Sequence, residues 1–131
     1  MTHPHRGGCE CGRVRYTVHG PLRGVVVCHC GRCRRTNGDA TGYTSCAEAQ
    51  LELVRSATLR WYVADERRRG FCGSCGGSLF WQADGDDEIS IAAGTLDQPT
   101  GLSTVAHIYV DSAGDYEVLP DGLPRFPGTH P

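Results

Sequence analysis

Seven of the eight cysteines in this chain fall into three tight clusters, Cys9-Glu10-Cys11, Cys28-His29-Cys30-Gly31-Arg32-Cys33 and Cys72-Gly73-Ser74-Cys75, and Cys46 stands alone. Thiolates are soft ligands. Residues two apart in a strand-to-turn segment, or three apart in a glycine-containing knuckle, can aim at one point, so these spacings suit a tetrahedral zinc ion. A disulfide across one intervening residue would be strained, and the spacings of the common iron–sulfur ferredoxin motifs are absent. Zinc is therefore the expected metal. Seven thiols exceed one ion and divide most naturally into four and three. Four thiolates close a structural site, whereas three keep a position open for water or substrate. Spacing leaves two partitions open. Cys9 and Cys11 with Cys72 and Cys75 would leave Cys28, Cys30 and Cys33 as the open site; Cys30 and Cys33 with Cys72 and Cys75 would make an ordinary two-knuckle ribbon. The compactness of Cys28-x-Cys30-x-x-Cys33 favours the first.

An open zinc with three sulfur ligands is electron-rich, a poor generator of hydroxide but a good holder of an incoming thiol, whose pKa falls on binding. The thiolate would then attack an electrophile such as an aldehyde. The competing expectation is a zinc-stabilised binding domain whose second ion is absent or is capped by Cys46 or His107. Cys46 otherwise reads as a small buried hydrophobe. His29 lies between two ligands and points to the opposite side of an extended segment, which suits support of the ligands or a surface position better than ligation. His107 reads either as a core or loop histidine or as an acid–base group lining the zinc pocket. Asp97, just before a proline-containing turn, reads as a turn residue. Arg34 and Arg35 follow Cys33 directly and could bind substrate carboxylates or balance thiolate charge. Arg67, Arg68 and Arg69 could bind substrate carboxylates as well, but read better as a solvated edge that blunts strand pairing.

The elements that must position these thiols are short. The chain's 131 residues, 39% hydrophobic, allow one compact domain spanning 1–131, with residues 1–6 and their histidines, His3 and His5, as a flexible tail. Thirteen basic residues, all Arg, face fifteen acidic ones, and the net charge of −2 argues against non-specific nucleic-acid binding. The absence of Lys excludes a P-loop and Schiff-base chemistry. No apolar export signal follows Met1 and no run approaches the ~20 apolar residues of a membrane span, so a cytoplasmic, reducing setting is expected. Two-residue alternation predicts strands at Arg13–Val18, Thr58–Val63, Ser78–Gln82, Glu88–Ala92 and Ala106–Val110, with an apolar strand at Val25–Val27. The last half of Ala47–Val54 suits a strand, and Arg32–Gly38 could close as a helical turn stopped by Gly38. Many short strands separated by turn residues predict an all-β fold. An exposed sheet edge, or Trp61 and Trp81, would serve a homodimer.

The ordered runs Gly8-Cys9-Glu10-Cys11-Gly12-Arg13-Val14-Arg15-Tyr16, Cys28 to Gly38, Arg68-Arg69-Gly70-Phe71-Cys72-Gly73-Ser74-Cys75-Gly76 and Gly94-Thr95-Leu96-Asp97 resemble the glutathione-dependent formaldehyde-activating enzyme family, which also includes centromere protein V. His107-Ile108-Tyr109 and the tail from Leu119 to Phe126 resemble its C-terminal pattern. The resemblance implies a β-tent of stacked short antiparallel sheets. It also implies a structural zinc on Cys9, Cys11, Cys72 and Cys75 and a catalytic zinc on Cys28, Cys30 and Cys33, two ions per chain. The implied activity is that of a carbon–sulfur lyase, condensing glutathione or another small thiol with formaldehyde to S-hydroxymethylglutathione. The basic, Pro-rich extension that would support a centromere-type role is missing.

Overall fold

The computed structural model describes residues 4–119 and 121–129. Strand makes up 43% and helix 13%, so the fold is all-β, as expected. Two compact units form, one from the residues up to Arg23 together with Thr44–Gly101, the other from Gly24–Tyr43 with the residues from Leu102 onward.

The first unit holds β1 (His5–Gly8), β2 (Arg15–Val18), the end of β4 (Thr41–Ala47), β5 (Leu51–Arg55), β6 (Leu59–Ala64), β7 (Arg67–Cys72), β8 (Ser78–Ala83) and β9 (Glu88–Ala92). Strands β1, β2 and β5 pair in that order, and β9, β8, β7 and β6 follow one another in a second, antiparallel array. Alternation buries Ile89 and Ile91 of β9 on either side of half-exposed Ser90, whereas β2 buries three residues in succession and β5 buries none. Val14, Tyr16, Val18, Leu79, Ile89 and Ile91 make the core, with the Tyr16 ring set edge-on to Phe80 at 5.4 Å. The Tyr16 hydroxyl donates to Thr95 Oγ1 at 2.7 Å, which passes its own proton to the Ala92 carbonyl at 2.7 Å. The buried phenol is thereby satisfied, and its burial pushes its pKa upward.

Two local expectations are corrected in this unit and a third is refined. His5 and Arg6, expected in the tail, form β1, where His5 Nε2 donates to the Thr100 carbonyl; His3 lies outside the described residues. The arginine triplet is no solvated edge, because β7 is an inner strand between β6 and β8. Arginine stems are long enough to pave a sheet while their guanidinium groups find partners. Arg68 lies 3.8 Å over the Trp61 ring and donates to Gln82 Oε1, and Arg69 is buried. Asp97 keeps its structural role, but with Arg15, whose guanidinium donates to both carboxylate oxygens at 2.6 and 3.3 Å.

The Arg15 guanidinium holds the Asp97 carboxyl below the ordinary carboxylate range. A depressed folded pKa stabilises above the unfolded value and loses that contribution as pH falls through the folded one. Both side chains reach solvent, so Asp97→Asn should cost no more than about 1 kcal/mol in urea unfolding at pH 7. The difference from wild type should shrink in acid.

The second unit holds β3 (Val25–Cys28), α1 (Gly31–Asn37), the start of β4 and β10 (Thr104–Ile108). Its pairing order is β10, β3, β4, with β3 and β4 antiparallel. One pair departs from the antiparallel expectation: β10 runs parallel to β3, with Ile108 beside Cys28. The helical turn expected after the thiols is α1. Its N-cap is Cys30, whose Sγ accepts from the Cys33 amide, and Gly38 ends it at a left-handed φ of 86°, donating its N–H to the Arg34 carbonyl.

Candidate functional site

Two thiol groups form, one in each unit: Cys9, Cys11, Cys72 and Cys75, and Cys28, Cys30 and Cys33, with the sulfurs of each group within 4.8 Å of one another. The four-thiol group sits on two matching turns. After β1, the Val14 amide donates to Cys9 Sγ at 3.3 Å while Gly12, at a φ of 78°, turns the chain. After β7, the Ser74 amide donates to Cys72 Sγ at 3.3 Å while Gly76, also at 78°, does the same. Positive φ favours glycine at both corners. The sulfurs of Cys9 and Cys11 lie 3.6 Å apart and those of Cys11 and Cys72 3.7 Å. A tetrahedral ion with ~2.3 Å bonds to sulfur needs ligands about 3.8 Å apart, and a disulfide needs about 2.05 Å. The donor set and its spacing therefore fit a thiophilic tetrahedral ion. The Thr58 hydroxyl, 3.3 Å from Cys72 Sγ, and the amides of Cys75 and Ser74 overcome burial and pull the Cys72 thiol down to about 6. One ligand is thus ready to bind as a thiolate at neutral pH.

The three-thiol group is assembled from the end of β3 and the first turn of α1. Cys28 and Cys33 are buried with their sulfurs 3.4 Å apart, and Cys30 is half-exposed. The Cys33 thiol and burial both push the Cys28 thiol up. Cys46, the remaining thiol, is buried in the first unit, where burial pushes it up to about 11 and keeps it protonated at neutral pH.

His29 and His107 are both buried, and neither has a ring nitrogen to spare. His29 Nδ1 is paired with Glu117 Oε1 at 2.5 Å, His29 Nε2 with His107 Nδ1 at 2.9 Å, and His107 Nε2 with Asp121 Oδ2 at 2.8 Å. With all four nitrogens engaged, neither imidazole is free to bind a metal in this arrangement. Asp121 Oδ1 also accepts the Leu123 amide, and that bond together with His107 holds its carboxyl below the ordinary range. Sequence reasoning missed Glu117 and Asp121. A carboxylate in a loop that bonds a histidine eighty-eight residues away carries no spacing signal.

Arg34 and Arg35 lie on α1, Arg34 half-buried with its Nε lacking a hydrogen-bond partner among the described residues and Arg35 exposed. No helix among the described residues is long and apolar enough to cross a membrane.

A family model described as "Glutathione-dependent formaldehyde-activating enzyme" matches residues 4–112. The chain is also similar in fold to the crystal structure of a Rhodobacter sphaeroides protein determined as a structural genomics target, with a TM-score of 0.61 and 23% identity over 92% of this chain and 98% of that one.

Proposed function

The chain belongs to the glutathione-dependent formaldehyde-activating enzyme family, and from that premise we propose that it joins glutathione or another small thiol to formaldehyde at a zinc ion held by Cys28, Cys30 and Cys33, with a structural zinc on Cys9, Cys11, Cys72 and Cys75. The observation that carries this reading is the donor count. The second group offers three thiols, and the two buried imidazoles of the same unit have no nitrogen left to complete a closed set.

When bound at the triad, zinc would supply a soft, Lewis-acidic position that favours the thiolate form of a substrate thiol. The chain's own residues do the rest. Buried Cys28 and Cys33 and half-exposed Cys30 would hold the ion. Arg34 and Arg35, on the helix that carries Cys33, would meet the carboxylates that a peptide thiol carries. In the overall reaction a carbon–sulfur bond forms and the carbonyl π bond opens. The thiol proton ends on the new hydroxyl, and nothing is oxidised or reduced.

The test is exchange spectroscopy of ¹³C-formaldehyde with glutathione, because the uncatalysed addition is itself reversible and end-point yields are uninformative. Zinc-loaded protein should speed exchange between formaldehyde and S-hydroxymethylglutathione in proportion to its concentration. Two bound zinc ions with no acceleration for glutathione or other small thiols would favour a zinc-stabilised binding domain instead.

A further inference from the structure

Resting on the reading of Cys28, Cys30 and Cys33 as a metal site, we propose that Glu117 and Asp121 are positioning residues for that site, acting through His107 and His29. Both carboxylates lie beyond residue 112, where the family match ends.

The argument starts from strand geometry. In an extended segment alternate side chains share a face, so Cys28 and Cys30 point one way and His29 the other. Any backbone rotation that re-aims either sulfur must therefore swing the His29 ring. That ring is held at both ends, by Glu117 at 2.5 Å and by His107 at 2.9 Å, and it is 1% exposed. The far ends of this chain of bonds are tied to backbone. Glu117 Oε2 accepts the Gly114 amide at 2.6 Å, Asp121 Oδ1 accepts the Leu123 amide at 3.0 Å, and the His107 amide donates to the Pro124 carbonyl at 2.9 Å. The His29 amide in turn donates to the Ile108 carbonyl at 3.0 Å. A segment that supplies no sulfur thus fixes the direction of two sulfurs. A three-ligand site has more need of this than a four-ligand one, because it has fewer bonds to correct a misdirected donor. Groups that orient metal ligands without touching the metal commonly change its affinity by about 10- to 100-fold.

The experiment follows zinc release to a colorimetric chelator from the intact chain, with Cys30→Ala as the reference that leaves only the four-thiol site. Wild type should release two zinc ions in two separable phases. Glu117→Ala and Asp121→Ala should release the triad zinc about 10- to 100-fold more readily, with the other phase unchanged. Glu117→Gln keeps an acceptor oxygen for His29 Nδ1 and should restore most of the retention, which a loss of carboxylate charge alone would not allow. Asp121, at the partly exposed end, gives a variant that tests the clamp without emptying a buried position. Wild-type release of the triad zinc from both alanine variants would overturn the proposal. Parallel acceleration of both phases, the mark of a generally weakened fold, would overturn it too. A wild-type chain that holds a single zinc would instead overturn the metal-site reading beneath it.

Discussion

Cys72→Ala is expected to unfold the first unit, not merely to empty one ligand position. Cys72 is fully buried at the end of an inner strand, and its sulfur accepts from the Ser74 amide, lies 3.3 Å from the Thr58 hydroxyl and stands 3.7 Å from Cys11. With zinc on the proposed four-thiol site, the ion ties the turn after β1 to the turn after β7, two segments about sixty residues apart in sequence. Apparent binding energies of structural zinc run to about 10–16 kcal/mol, as large as the whole ~5–15 kcal/mol by which a domain is stable. Loss of this buried ligand of the set should therefore cost most of the fold's stability. Circular dichroism and zinc content measured together should show loss of β signal with loss of metal, and prolonged chelation of wild type should reproduce it. A Cys72→Ala protein that melts like wild type while holding one zinc fewer would show that packing alone sustains the unit.

Cys30→Ala should do the opposite, sparing the fold and abolishing the chemistry. Its sulfur caps α1 by accepting the Cys33 amide, a contact whose loss costs about 1 kcal/mol. Its role in the proposed site is larger, because two remaining thiols do not hold zinc in competition with water and buffer. The protein-dependent part of formaldehyde–glutathione exchange should fall at least 100-fold, an order-of-magnitude figure for removing a residue on which the metal depends. A melting temperature within a few degrees of wild type, read beside that loss, separates the two effects. Retained exchange would mean that the triad is not where the reaction occurs.

Much of this was legible in the residues, for identifiable reasons. A strand such as Glu88–Ala92 declares itself because Ile89 and Ile91 are buried while Glu88 and Ser90 are not. Gly38 marked the end of α1 because its left-handed conformation is costly for other residues. Strand β4 was hidden because its buried residues include Thr44 and Ser45, polar types made acceptable by hydrogen bonds such as that from Thr44 Oγ1 to the Arg23 carbonyl. Strand β7 was hidden by its arginines, since a charge run says nothing about whether the stems lie on a neighbouring tryptophan. At the site, local spacing pointed to each knuckle but left the partition of the thiols open. Which knuckles meet depends on the return of β7 toward the end of β1, a long-range matter. Glu117 was silent, and Asp121 figured only as part of the tail from Leu119 to Phe126, because their importance comes from two histidines that the fold delivers to them.

The most direct measurement of the central claim is zinc-edge X-ray absorption on the reduced, zinc-loaded chain, before and after glutathione, in wild type and Cys30→Ala. The account predicts two zinc ions per chain in wild type and a gain in average sulfur coordination when glutathione is added. The variant should hold one zinc, in a four-sulfur site that does not respond. Two four-sulfur sites indifferent to glutathione, or a single zinc in wild type, would contradict the thiol-holding triad and leave a zinc-stapled binding domain.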